Sequence, residues 1–230
     1  MRAVLFDVGN TLVHLDYGFL ASALEGWGAP SPLAVARADA EVRRQGWGRH
    51  PAGFFHAYFG AIAARLDLPE AARAHLAAAA GTAHRERRQG LWDQVDPDVP
   101  AVLERLRAAG WRLGVVSNAD GRVADQLAGL GLARWFEVIV DSSVAGVSKP
   151  DPRIFHWALE GMGLPAADAA YVGDIVEVDV LGAQAAGLRG VLYDRQGIWR
   201  DIQGPRVERL ADLPALLAAT DRSAEAPANG

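Results

Sequence analysis

The stretch Val99–Asn118, VPAVLERLRAAGWRLGVVSN, contains the unit on which the fold turns. Val99, Val102, Leu103 and Leu106 recur at the spacing of one helical face, and Gly110 supplies the stop. Trp111 to Val116 is an apolar run of strand length, and polar Ser117-Asn118 follows at its end. The same rhythm repeats downstream. Arg122 to Leu130 reads as helix, Glu137 to Val140 as strand and Pro152 to Met162 as helix. Ala170 to Val172 then reads as strand, Val176 to Ala186 as helix and Gly190 to Tyr193 as a last strand. Upstream, Arg2 to Phe6 is a short buried strand that ends in the turn-rich segment Asp7-Val8-Gly9-Asn10-Thr11. Repeated βα units of this kind predict an α/β fold, a doubly wound parallel sheet with helices on both faces.

Residues 15–92 break the rhythm and read as all-helical. Ser31-Pro32 offers an N-cap with Pro at the first helical position. Phe54, Phe55, Tyr58, Phe59 and Ile62 follow helical spacing and predict the seam of a bundle. Because this segment lies between the first strand and the rest of the sheet, it is expected to be an inserted helical cap. The expected division is a core of residues 1–14 and 93–220, a cap of 15–92 and a small, polar, disordered tail from Asp221 to Gly230.

Composition narrows the function classes. A chain of 230 residues can bury a full core. Half its residues are apolar and 22% are charged, as in folded soluble proteins. The net charge of −5 exerts no general pull on nucleic acid or anionic membrane. No apolar run approaches the roughly 18 residues of a membrane span, and the apolar start Ala3 to Phe6 is interrupted by Asp7, unlike a signal peptide. The absence of cysteine excludes thiolate catalysis and disulfides. A cytoplasmic location is the expectation. Lys149 is the only lysine among 23 basic residues, so any chemistry that needs an ammonium must use it.

Four polar clusters follow the strands: Asp7 with Thr11, Ser117-Asn118, Ser148-Lys149-Pro150, and Gly173-Asp174 with Asp179. Singly each is weak, because an aspartate at a strand end often only closes a turn. In open α/β sheets, however, the strand ends line one crevice where ligands bind. Together the clusters resemble the four motifs of the haloacid dehalogenase (HAD) superfamily with a helical cap inserted after the first. Phe6-Asp7-Val8-Gly9-Asn10-Thr11-Leu12 resembles the first motif and Val115-Val116-Ser117-Asn118 the second. Ser148-Lys149-Pro150-Asp151-Pro152 resembles the third, and Val172-Gly173-Asp174 through Asp179 to Ala183 the fourth.

The resemblance implies a Mg²⁺-dependent hydrolase of small phosphorylated molecules, in which Asp7 is the nucleophile and carries an aspartyl-phosphate. It implies Asp7, the Gly9 backbone carbonyl and Asp174 as metal ligands, with Asp179 behind them orienting a bound water or Lys149. It places Thr11, Ser117, Asn118 and Lys149 around the phosphate, Lys149 adding positive charge where the transition state spreads negative charge. One position departs from the pattern. Phosphatases of this family usually carry a second aspartate two residues after the nucleophile, as general acid and base. Here that residue is Gly9.

Three alternatives stay open. A phosphatase could draw its proton from elsewhere, with His14 and Asp16 close in sequence, or act on esters whose leaving group needs little protonation. A haloacid dehalogenase also lacks that aspartate but needs no metal. A homologue that binds a phospho-ligand or protein without turnover is the third. Phosphonate cleavage through a cap lysine is disfavoured by the absence of lysine from residues 15–92. Substrate contacts are expected in the cap, from Arg43, Arg44, Arg49, His50 and the run His84-Arg85-Glu86-Arg87-Arg88.

Overall fold

The computed structural model describes residues 2–45 and 54–225, with side chains to residue 220. Six strands form one sheet: β1 (Arg2–Phe6), β4 (Trp111–Ser117), β5 (Val138–Asp141), β6 (Ala169–Gly173), β7 (Arg189–Tyr193) and β8 (Arg206–Val207). Their order is β5-β4-β1-β6-β7-β8, and every neighbouring pair is parallel. β1 is therefore central, and the chain leaves it first to one side and later to the other. The strand order reverses beside β1, where open α/β sheets form their ligand crevice.

The two faces of the sheet follow from the period of two along β1. Val4 and Phe6 pack into one apolar cluster with α5 (Val99–Ala108), α6 (Val123–Gly129) and α10 (Leu213–Glu225). Ala3 and Leu5 pack into the other with α8 (Pro152–Met162) and α9 (Leu181–Ala185). Helices thus cover both faces, as the alternation predicts. In α8 the buried residues are Ile154, Phe155, Ala158, Leu159 and Met162, the spacing of one helical stripe.

Between β1 and β4 lie α1 (Tyr17–Ser22), α2 (Pro32–Arg44), α3 (Phe54–Arg65) and α4 (Glu70–Glu86). These share a separate apolar core that includes Leu20, Val35, Tyr58, Phe59, Ile62 and Leu76. Ser31 caps α2 by accepting from the Ala34 N–H, with Pro32 at the first position, as expected.

A short two-stranded sheet marks the borders of the helical insert. β2 (Val13–Leu15) and β3 (Trp92–Val95) pair antiparallel where the chain enters and leaves the cap. Strands of three and four residues offer too few alternations to be read from sequence, and their pairing joins segments some eighty positions apart. Four further differences are local. A short helix α7 (Ser142–Ala145) follows β5, and the helix expected from Val176 begins as a π-helical turn over Val176–Val180. β7 is not the last strand, since β8 pairs beyond it. The expected tail from Asp221 is helical as far as Glu225, continuing α10. Residues 226–230, like Arg49 and His50, lie outside the described residues.

Candidate active site

Parallel strands all point their carboxyl ends the same way, so residues just beyond β1, β4 and β6 meet. Asp7 follows β1, Ser117 closes β4, and Asp174 follows β6. At the centre stands Lys149, buried to 2% exposure. Its Nζ donates to Asp7 Oδ1 at 2.6 Å, to Asp179 Oδ1 at 2.7 Å and to Tyr171 Oη at 2.7 Å. These three bonds use every proton of the ammonium. Ser117 Oγ donates to Asp7 Oδ1 at 3.2 Å, and Thr11 Oγ1 approaches Asp7 Oδ2 at 3.5 Å. Asn118 clamps the lysine backbone in both directions, donating from Nδ2 to the Lys149 carbonyl and accepting the Lys149 N–H at Oδ1, at 3.0 and 2.8 Å. Asp179 turns its second oxygen back to the Asp174 and Ile175 N–H groups at 3.1 and 2.9 Å.

The electrostatics follow from burying several charges together. Burial favours the neutral acid and raises the Asp7 pKa, with Asp179 adding to the rise and Lys149 opposing it. Asp174 is pushed up to about 7, first by burial and then by Asp179 and Asp7, against the pull of Arg43. Burial would lower Lys149, but the Asp179 and Asp7 carboxylates outweigh it and hold its pKa above the usual range. Carboxylate oxygens of Asp7, Asp174 and Asp179 lie within 4.8 Å of one another. These three buried carboxylates outnumber Lys149 and the Arg43 guanidinium, which Asp174 shares with Asp39, and an oxygen-only donor set of this kind suits a hard divalent cation.

The cap closes a cleft of about 900 Å³, including its solvent-open mouth, over these residues. Asp7, Gly9, Asn10, Ser117, Asn118, Lys149, Asp174 and Asp179 line it, whereas Thr11 does not. The cap contributes Arg43, Phe54, Phe55, Tyr58 and His84, and β3 contributes Trp92. The aromatic stripe expected as a bundle seam therefore has two faces, because Phe54 and Tyr58 belong to the cap core and also line the cleft.

Several placements differ from expectation. Neither His14 nor Asp16 lines the cleft. His14 Nε2 bonds Asp96 Oδ2 at 3.1 Å, while Asp16 caps α1 and pairs with Arg87 at 2.9 Å. Arg44 turns to Asp201 and to the Ile198 carbonyl, and Arg85 bonds Thr82. Among the described arginines named for the cap, Arg43 alone enters the cleft. It donates from Nη1 to Asp174 Oδ2, from Nε to Asp39 Oδ2 at 3.0 Å and from Nη2 to Gln196 Oε1 at 3.0 Å. Asp39 is itself held by the Tyr58 and Tyr17 hydroxyls. Burial lowers the Arg43 pKa, but Asp39 and Asp174 outweigh it and hold the guanidinium charged. Sequence reasoning missed Tyr171, which also donates to the Val116 carbonyl at 2.7 Å, and Trp92. The signal for Tyr171 was slight: one hydroxyl in an otherwise apolar strand.

The family model for haloacid dehalogenase-like hydrolases matches residues 1–187. "Haloacid dehalogenase-like hydrolase domain-containing protein 3" of Danio rerio is 41% identical over 128 residues, covering 54% of this chain and 53% of that protein. The chain thus matches about half the length, or less, of the relatives of that name. Phosphoserine phosphatase of Thermus thermophilus is 29% identical, covering 95% of this chain and 99% of that protein. The crystal structure of the 2-haloacid dehalogenase of Pseudomonas syringae superposes with a TM-score of 0.60 at 27% identity, covering 96% of this chain and 99% of that one. With motif residues converging on one cleft and the family model spanning most of its length, the chain belongs to the haloacid dehalogenase-like hydrolases.

Proposed function

We propose that this hydrolase is a Mg²⁺-dependent phosphatase of small phosphate esters that works through an aspartyl-phosphate on Asp7. The observation that carries this reading is the second carboxylate site. Asp174 and Asp179 both stand beside Asp7 in a buried cluster that Lys149 and Arg43 do not neutralise between them, because Arg43 is shared with a fourth buried carboxylate, Asp39. Carbon–halogen chemistry needs no such cation, which is why the dehalogenase alternative is the weaker one. A phosphatase and a dehalogenase each match nearly the whole chain, so the carboxylate cluster decides between them.

In this reading Asp7, the Gly9 carbonyl and Asp174 would hold the cation, whose charge would screen the repulsion between an attacking carboxylate and an anionic phosphate. Asp7 attacks through Oδ2, the oxygen that Lys149 and Ser117 do not hold, while Ser117 and the backbone N–H of Asn118 hold phosphate oxygens. Lys149 orients Asp7 and supplies fixed positive charge to the transition state without having to move. Asp179 and Tyr171 are positioning residues that keep the ammonium aimed at Asp7.

The test sets phosphate esters, with and without Mg²⁺, beside 2-haloacids assayed for halide release. Phosphate release that a chelator or Asp174→Asn abolishes is the expected outcome. Halide release that ignores the chelator would establish the dehalogenase instead.

A further inference from the structure

Gly9 stands where related phosphatases carry the proton-donating side chain, and the structure reveals what occupies that space. A Cβ built on Gly9 would meet Trp92 Nε1 at 3.5 Å and Trp92 Cδ1 at 3.6 Å. The indole edge that carries the N–H therefore lies against Gly9, in a cleft that both residues line with Asp7. Among the described residues no acceptor takes this N–H. The residue is anchored at its backbone and packed at its ring. Gln126 Nε2 donates to the Trp92 carbonyl at 2.6 Å, and Phe55, Phe59 and His84 pack around the indole at centroid distances of 6.5, 6.2 and 5.9 Å.

We propose that Trp92 is the leaving-group residue of this enzyme and that it selects aryl phosphates. The inference rests on the phosphatase reading and deepens it. An indole N–H donates a hydrogen bond but gives up no proton at any physiological pH. When Asp7 attacks phosphorus, the P–O bond to the leaving group breaks and its electron pair departs on the oxygen. Trp92 stabilises that oxyanion by donation alone, and solvent protonates it after it leaves. This device suffices only for a leaving group stable as an anion, as a phenolate is. Phe54, Phe55, Val123 and Val178 give the cleft an apolar wall that suits a flat ring.

The experiment compares wild type with Trp92→Phe, which keeps a ring and removes the N–H, on a series of substituted phenyl phosphates with Mg²⁺ present. Cyclohexyl phosphate, matched in size to phenyl phosphate, serves as the alkyl control. In wild type, phenyl phosphate should be cleaved at least about a hundredfold faster than its cyclohexyl counterpart, the lower range of what a missing acid is worth. Trp92→Phe should lower kcat/KM about tenfold, the value of one hydrogen bond to a charged oxygen. The loss should grow as the phenol becomes less acidic, steepening the leaving-group dependence, which a merely structural residue would not do. Inhibition by 4-nitrophenolate should weaken in parallel, and this binding measurement stands even if turnover is low. Equal slopes and equal phenolate inhibition in the two proteins would overturn the role of Trp92 while leaving the phosphatase intact. No phosphate release from any aryl ester by wild type would remove both.

Discussion

Gly9 and Trp92 are coupled, so restoring the family's usual aspartate has a conditional outcome. Gly9 is not in the left-handed region, and a Cβ there makes ordinary contacts, so Gly9→Asp fits the backbone. Its carboxylate, however, would fall against the Trp92 N–H, and a hydrogen bond to the ionised form lowers a carboxyl pKa. An acid held ionised donates no proton. Gly9→Asp alone should therefore change alkyl-phosphate turnover little. The double variant with Trp92→Phe should gain a substantial part of the roughly 10²–10⁴ that a positioned acid supplies. Rate measurements on both variants with cyclohexyl phosphate decide this, and equal gains would mean that Trp92 does not restrain the acid. At this scale the motif residues were legible because their types and order suffice to identify them. Trp92 was not, because its role depends on the indole edge facing a glycine more than eighty positions away.

At the scale of elements, α2 carries Arg43 from the cap into the core's carboxylate cluster. Its guanidinium holds Asp174 and Asp39 at once, and all three side chains are buried. In the proposed function Asp174 is also a cation ligand, so the cation and Arg43 make claims on one carboxylate. Arg43→Met preserves much of the apolar stem but leaves Asp174 and Asp39 without their shared cation. Breaking a buried pair in this way costs about 3–5 kcal/mol, so the melting temperature should fall. Mg²⁺ should then raise the melting temperature of Arg43→Met more than that of wild type, because stabilisation by a ligand grows with its affinity. Thermal melts of both proteins across a Mg²⁺ series measure this. Equal Mg²⁺ shifts would show that Arg43 and the cation do not compete. Sequence reasoning placed Arg43 among several cap arginines but could not separate it from Arg44, its neighbour, which faces Asp201 instead. One helical step of 100° decides which of the two enters the cleft.

For the molecule as a whole, cap and core are joined through β2 and β3, and a buried histidine sits at that junction. His14 in β2 is 2% exposed and bonds Asp96, which follows β3, while Asp96 also pairs with Arg195 at 2.7 Å. Burial lowers the His14 pKa from its ordinary 6.5, and this outweighs the opposing bond to Asp96. Folding therefore keeps the ring neutral in a pH window just below 6.5, where the unfolded chain binds a proton. In that window the unfolded state holds more protons, so stability rises with pH and is lost as pH falls toward the folded pKa. Asp174 acts in the opposite sense without a cation: its raised pKa gives stability at low pH that is lost as pH rises toward about 7. The net curve alone is thus ambiguous, and a difference measurement is required. His14→Gln retains a donor toward Asp96, does not titrate, and shares the Asp174 contribution with wild type. Subtracting urea-unfolding free energies of the two proteins at each pH isolates His14. The difference should shift in favour of His14→Gln as pH is lowered through about 6.5. Parallel curves would mean that the junction does not carry this acid sensitivity. A shift of the expected sign would make the seating of the cap, and with it the positions of Trp92 and Arg43 over Asp7, weaker in acid than at neutral pH.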